Sequence, residues 1–145
     1  MSREQKMANY YGQGRTNTFA VRSIDALKAA LSDTDIEVLE RADGRVTLFT
    51  SSDGDGDFSV YRYNEDGEFI DDEPLFIPDI IAGHLQPGET AVFESSGWEK
   101  FRYMSAWAIA VHSDGRQVRV DVNDVYTLAA QEFGIDRTAI TDAAY

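Results

Sequence analysis

The chain has no cysteine, which removes thiol catalysis, thiolate metal sites and disulfides and matches a reducing cytoplasm. Histidine is nearly as scarce. His84, late in a short helix, and His112, at a strand end beside a turn, are the two imidazoles, and neither opens a paired metal pattern such as HExxH. Structural or surface roles are expected for both. No nucleophile elbow GxSxG is present, and no apolar run approaches a membrane span, the most apolar stretch being Met104 to Val111. No basic segment followed by a long apolar run opens the chain, so a soluble, unexported, cytoplasmic protein is expected. Arg15, Ser51 and Glu94 could be assembled into a transferase set, but almost any chain permits such a selection. The expectation is a protein that is not an enzyme and needs no cofactor.

Positive charge is also short, with 13 Lys and Arg against 26 Asp and Glu among 145 residues. The imbalance is local. Residues 1–32 hold two acidic and five basic side chains, residues 33–99 hold eighteen and three, and residues 100–145 hold six and five. Essentially all of the net charge of −13 therefore comes from the middle of the chain. A one-signed surface steers an oppositely charged partner and repels DNA, RNA and anionic membrane. The expected partner is a basic protein surface, with a nucleic-acid-binding protein or complex as the first candidate. No direct contact with nucleic acid or membrane is expected.

Length and aromatic content suit one domain with its own core. Residues 1–16, polar and rich in Gly and Asn, read as a flexible lead-in. A strand at Thr18 to Val21 precedes a helix capped by Ser23, with Ile24, Leu27, Ala30 and Leu31 on one face. Ile36 to Arg41 and Arg45 to Thr50 flank Asp43-Gly44 as a hairpin. A strand at Phe58 to Tyr63 ends at the turn Asn64 to Gly67. Pro78 opens a short helix to Leu85, because proline is tolerated in a helix's first turn. Strands follow at Thr90 to Glu94, Phe101 to His112 and Gln117 to Val120. A last helix, Asp124 to Phe133, carries Val125, Leu128, Ala129 and Phe133 on one face and stops at Gly134.

This order predicts a single α+β domain over residues 17–134, with helices packed on one face of a mainly antiparallel twisted sheet, and a short tail at 135–145. Two successive blocks of a helix and three strands invite an internal pseudo-repeat.

Four clusters are candidates for function. Glu65, Asp66, Glu68, Asp71, Asp72 and Glu73 compress six carboxylates into nine residues, a self-repulsion that a basic groove would relieve. Tyr11 and Arg15 sit in a glycine-rich segment without phosphate-loop spacing, where Arg offers a rigid donor fork and Tyr a low-entropy anchor. Trp98 and Arg102 share one face if residues 98–103 are strand, which suits a surface hot spot. Asp53, Asp55 and Asp57 alternate as a calcium loop does, but Phe58 and Asn64 stand where an EF-hand needs glycine and glutamate. Weak divalent binding is the most these three predict.

A small chain with an anionic display resembles the acidic DNA-mimic inhibitors carried by phages and plasmids, a resemblance of class resting on charge and size. It implies an anti-defence role and carboxylates spaced like backbone phosphates, one per about 3.4 Å on each strand. Two other classes compete with it: a structural or assembly protein of a phage or bacterium, and a small enzyme or ligand-binding domain built around Tyr11 and Arg15.

Overall fold

A hairpin, a meander and one strand between them build the main sheet. The computed structural model describes residues 11–51, 56–70, 73–99 and 103–143. Among these, strands β3 (Glu37–Glu40) and β4 (Arg45–Phe49) form the hairpin, and β7 (Thr90–Glu99), β8 (Tyr103–His112) and β9 (Gln117–Asp121) form the meander. Strand β1 (Tyr11–Thr16) lies between the two units, pairing with β7 over its whole length and with β4 at Arg15. Strand β2 (Phe19–Ala20) continues β1 along the same edge of β4. Among the described residues every pairing is antiparallel, and the sheet has seven strands.

The break between β1 and β2 is bridged by side chains. Asn17 accepts from the Val92 amide at 2.7 Å and donates to the Thr90 carbonyl at 3.2 Å. On the other edge, Thr16 Oγ1 accepts from the Leu48 amide at 2.9 Å. The kink thus leaves the neighbouring strands' backbone groups satisfied, as buried ladders require.

Helix α1 (Ile24–Leu31) starts where Ser23 accepts from the Ala26 amide at 3.0 Å, and it buries Leu27 and Leu31, four residues apart. Helix α2 (Ile77–Ile81) has Pro78 in its first turn and buries Ile77, Pro78 and Ile81. Both helices lie on the same core as Phe19, Val46, Leu48, Phe93, Ile109 and Val111. The Asp43-Gly44 turn forms as its sequence predicts, with both residues at positive φ (63° and 74°).

Four expectations are corrected. Residues 11–16 of the supposed flexible lead-in are β1, paired in the middle of the sheet. The strand read at Phe58 to Tyr63 shrinks to β5 (Ser59–Val60), which pairs with β6 (Leu75–Phe76) outside the main sheet. The two pseudo-repeat blocks are therefore built differently, because only the second places three consecutive strands side by side. Helix α3 (Asp124–Phe133) stops at Gly134 with φ 66° as expected, but none of its residues is buried and its apolar stripe stays in solvent.

The loop that precedes β5 crosses β1 at very short range. A Cβ on Gly14 would lie 2.5 Å from the Gly56 carbonyl oxygen and 2.7 Å from the Phe58 ring. Ser95 Oγ donates to that same carbonyl at 2.7 Å. The glycine-rich run in β1 thus serves a backbone crossing, which holds Phe58 edge-on to Phe93 at 4.9 Å.

Candidate functional site

Side chains directly opposite one another in paired strands share a face. The register therefore places Glu37, Phe49, Arg15, Glu94, Ala108 and Val120 in one row across six strands. Gln13, Ser96 and Ala106 form the next row, continued by Val122, whose amide donates to the Ala106 carbonyl at 2.8 Å. This face is opposite the core. Its side chains line a groove of about 910 Å³ that also takes in Thr50, Ser51 and Asp121. Small alanines make the floor hollow, Phe49, Val120 and Val122 make it apolar, and Glu37, Glu94 and Asp121 place carboxylates along it.

Arg15 is exposed in this groove, and no carboxylate among the described residues lies within ion-pair distance of it. Other arginines are engaged: Arg45 with Glu89, Arg116 with Asp114, Arg119 with Asp121 and Arg137 with Asp142.

A second hollow of about 110 Å³ adjoins the groove, sharing Thr50 and Ser51 with it. Asp35, Asp57, Tyr61 and Tyr63 line its walls. Two carboxylates and two phenol rings suit an inserted cation, since aromatic faces and anionic oxygens both attract positive charge. The Asp57 carboxylate also accepts from the Ser59 amide at 3.1 Å, which fixes it at the start of β5.

The expected acidic cluster is placed beside this hollow. Asn64 Oδ1 accepts from the amides of Asp66 and Glu68, each at 2.9 Å, and so shapes the turn that Asn64 to Gly67 predicts. Glu65, Asp66 and Glu68 project from it into solvent, and Glu73 is exposed further along. Phe69 lies against Tyr61 at 5.0 Å and Tyr63 at 5.2 Å, so an exposed aromatic trio stands beside these acids. The Tyr63 amide donates to the Asp33 carbonyl at 2.8 Å, tying the turn to the segment that leads into β3. Acidic residues far apart in sequence, from Asp33 to Glu68, thereby meet at one edge of the sheet.

Asp71, Asp72, Asp53, Asp55 and Arg102 lie outside the described residues. Tyr11 enters as β1 backbone opposite Trp98, and Trp98 is 51% exposed on the open face. Among the described residues no three His, Asp or Glu converge as a metal site would need. His112 and the Asp114-Gly115 turn interact, with the Asp114 carboxyl held below its usual range mainly by the Arg116 backbone amide.

Sequence reasoning missed Thr50, Asp35, the Tyr61, Tyr63 and Phe69 trio and the groove floor. One signal was present in β8. Ala106, Ala108 and Ala110 alternate with larger residues at period two, which puts small side chains together on one face of the strand. Comparison with protein-family models, curated proteins and solved structures yields no match.

Proposed function

We propose that this chain is a non-enzymatic binding protein that engages a basic protein partner along the acidic edge and open face of its sheet. The observation that carries the reading is the junction of the two hollows. A small site walled by Asp35, Asp57, Tyr61 and Tyr63 opens beside an apolar groove with carboxylates along it. A Lys or Arg side chain suits the first, and the apolar side of the same basic segment suits the second. The surrounding charge, eighteen acids against three bases in residues 33–99, would speed encounter with such a partner. A nucleic-acid-acting protein is the partner class this chemistry favours, because such proteins carry basic surfaces. An inhibitory, anti-defence role in the cytoplasm follows if the partner's own basic site is what becomes covered. Among the described residues no helix is long and apolar enough to cross a membrane.

The test uses labelled peptides rich in Lys, Arg and Leu, with an acidic peptide and duplex DNA as controls. Fluorescence anisotropy should show binding of the basic peptides alone. Asp35→Asn with Asp57→Asn should weaken it at least about tenfold, or about 1.4 kcal/mol. Equal affinity in the double variant, or tight binding of DNA, would contradict the proposal.

A second reading is favoured by one observation: Arg15, Ser51 and Glu94, far apart in sequence, line the same groove. An anionic small ligand held by Arg15 would make this a ligand-binding domain. Loss of small-anion binding in Arg15→Ala, with peptide binding retained, would support that reading over the first.

A further inference from the structure

The main sheet has outer edges at β3 and at β9, and among the described residues they are finished differently. In antiparallel pairs alternate residues bond to the neighbouring strand, while those between point their N–H and C=O groups away from it. The Arg41 amide donates to the Arg45 carbonyl at 2.7 Å, so the bonded pairs of the β3–β4 hairpin are Leu39 with Thr47 and Glu37 with Phe49. The backbone groups of Val38 and Glu40 therefore point outward from β3, and none of the described residues bonds to them. On β9 the Val122 amide bonds to Ala106, so Gln117, Arg119 and Asp121 point outward. That edge is closed at one end, because the Asp124 carboxylate accepts from the Asp121 amide at 2.7 Å.

Charge decides what suits the open edge at β3. Glu37 on the strand, and Asp33 and Asp35 just before it, have no cation within ion-pair distance among the described residues. The bases alongside are engaged: Lys28 of α1 pairs with Glu40, and Arg41 Nε donates to Thr47 Oγ1 at 3.1 Å. Arg62 is the other base near this edge, and Glu65, Asp66 and Glu68 on the adjoining turn outnumber it. A second copy of this chain is a poor match, since pairing β3 with β3 sets Glu37 and Glu40 against the same carboxylates. A basic strand relieves that charge.

We propose that the basic partner docks by strand addition, one extended segment of it pairing with β3 through the outward backbone groups of Val38 and Glu40. Strand addition presupposes the basic partner proposed above and gives that partner's backbone a role. Val38 and Glu40 each offer an N–H and a C=O, so main-chain bonds supply affinity while side chains supply selectivity. The side chains of an added strand alternate between faces. On the open face they lie beside Glu37 and Leu39, the latter 43% exposed, so a Lys or Arg next to Glu37 and an apolar residue next to Leu39 make the best match. Beyond Glu37 the end of the strand comes to Asp35, which walls the small hollow together with Tyr61 and Tyr63. There the Tyr63 amide bonds to the Asp33 carbonyl, which closes the edge and sets where the added strand stops.

Amide hydrogen exchange followed by NMR on the full chain, free and saturated with a Lys-, Arg- and Leu-rich peptide of one non-repeating sequence, tests this. In the free chain the Val38 and Glu40 amides should exchange rapidly, while those of Leu39 and Arg41 are protected by the hairpin ladder. The peptide should slow Val38 and Glu40 at least ~tenfold and leave Leu39 and Arg41 little changed. In a series of peptides methylated at one backbone nitrogen at a time, affinity should fall at least ~tenfold at alternate positions of the bound stretch and hold at the positions between. A peptide that binds while Val38 and Glu40 exchange as fast as before, or a methylation series without alternation, would overturn strand addition and leave the basic-partner reading standing. Failure of every basic peptide to bind would overturn both. Slow exchange of Val38 and Glu40 in the free chain would also overturn strand addition, because the edge would then be covered within one chain.

Discussion

Gly14 shows how a single residue can look functional in sequence and act structurally in the fold. Its glycine-rich neighbourhood reads as a flexible, ligand-facing loop, yet its missing side chain makes room for the Gly56 carbonyl and the Phe58 ring. The cause is a contact with residues 42 and 44 positions away in sequence, which local pattern does not encode. Gly14→Ala forces one of these groups to shift and should cost about 1–3 kcal/mol, measured as a lowered urea midpoint with an unchanged slope. Ser23 is the opposite case, because its cap is local and its role is legible from the residues that follow. Ser23→Ala should cost about 0.5–2 kcal/mol in the same measurement. The exposed Asp136 is equally local. It accepts from the Thr138 amide, which holds its carboxyl below the ordinary value. Its small stabilising contribution is present above the unfolded carboxylate range and is lost as pH falls through the lower folded value.

At the scale of the element, period and turn chemistry carried the reading furthest. The β3–β4 hairpin, the Asn64 to Gly67 turn and α1 follow from residues within a few positions of one another. Strand β8 was legible as an interior strand from its nearly continuous apolar run, but the run does not say which face is packed. In the fold one face packs Ile109 and Val111 into the core, while Ala106, Ala108 and Ala110 face the open side. Small apolar residues look alike in a buried layer and in a hollow, so the run alone did not separate them. Ala108→Trp should fill the groove at little cost in stability, because an aromatic residue suits a strand's open face. Basic-peptide affinity should then fall at least about tenfold while the melting temperature holds. An unchanged affinity would move the partner's apolar contact off the groove. Helix α3 was also read correctly as amphipathic. Its stripe does not reach the core, because β9 is the last strand before it and, among the described residues, α1, α2 and the β5–β6 unit cover the packed face.

At the scale of the whole molecule, the uneven charge was visible in the sequence from a simple count, but its placement was not. The fold gathers Asp33, Asp35, Glu37 and the Glu65 to Glu68 turn at the β3 edge, and it leaves residues 113–145, with six acids against three bases, at the β9 edge. A general acidic coat and a localised acidic site make different demands on the same net charge. The most direct measurement compares two triple variants that each remove three charges from opposite ends of the sheet. One is Glu65→Gln, Asp66→Asn and Glu68→Gln; the other is Asp114→Asn, Glu132→Gln and Asp142→Asn. Stopped-flow association of a labelled basic peptide is followed in both as salt rises. Localised binding predicts that the first variant associates more slowly and with a flatter salt dependence, while the second stays close to the wild type because its sites lie beyond the roughly 8 Å screening length. Equal slowing in the two variants, or a larger effect from the second, would contradict a partner site at the acidic edge.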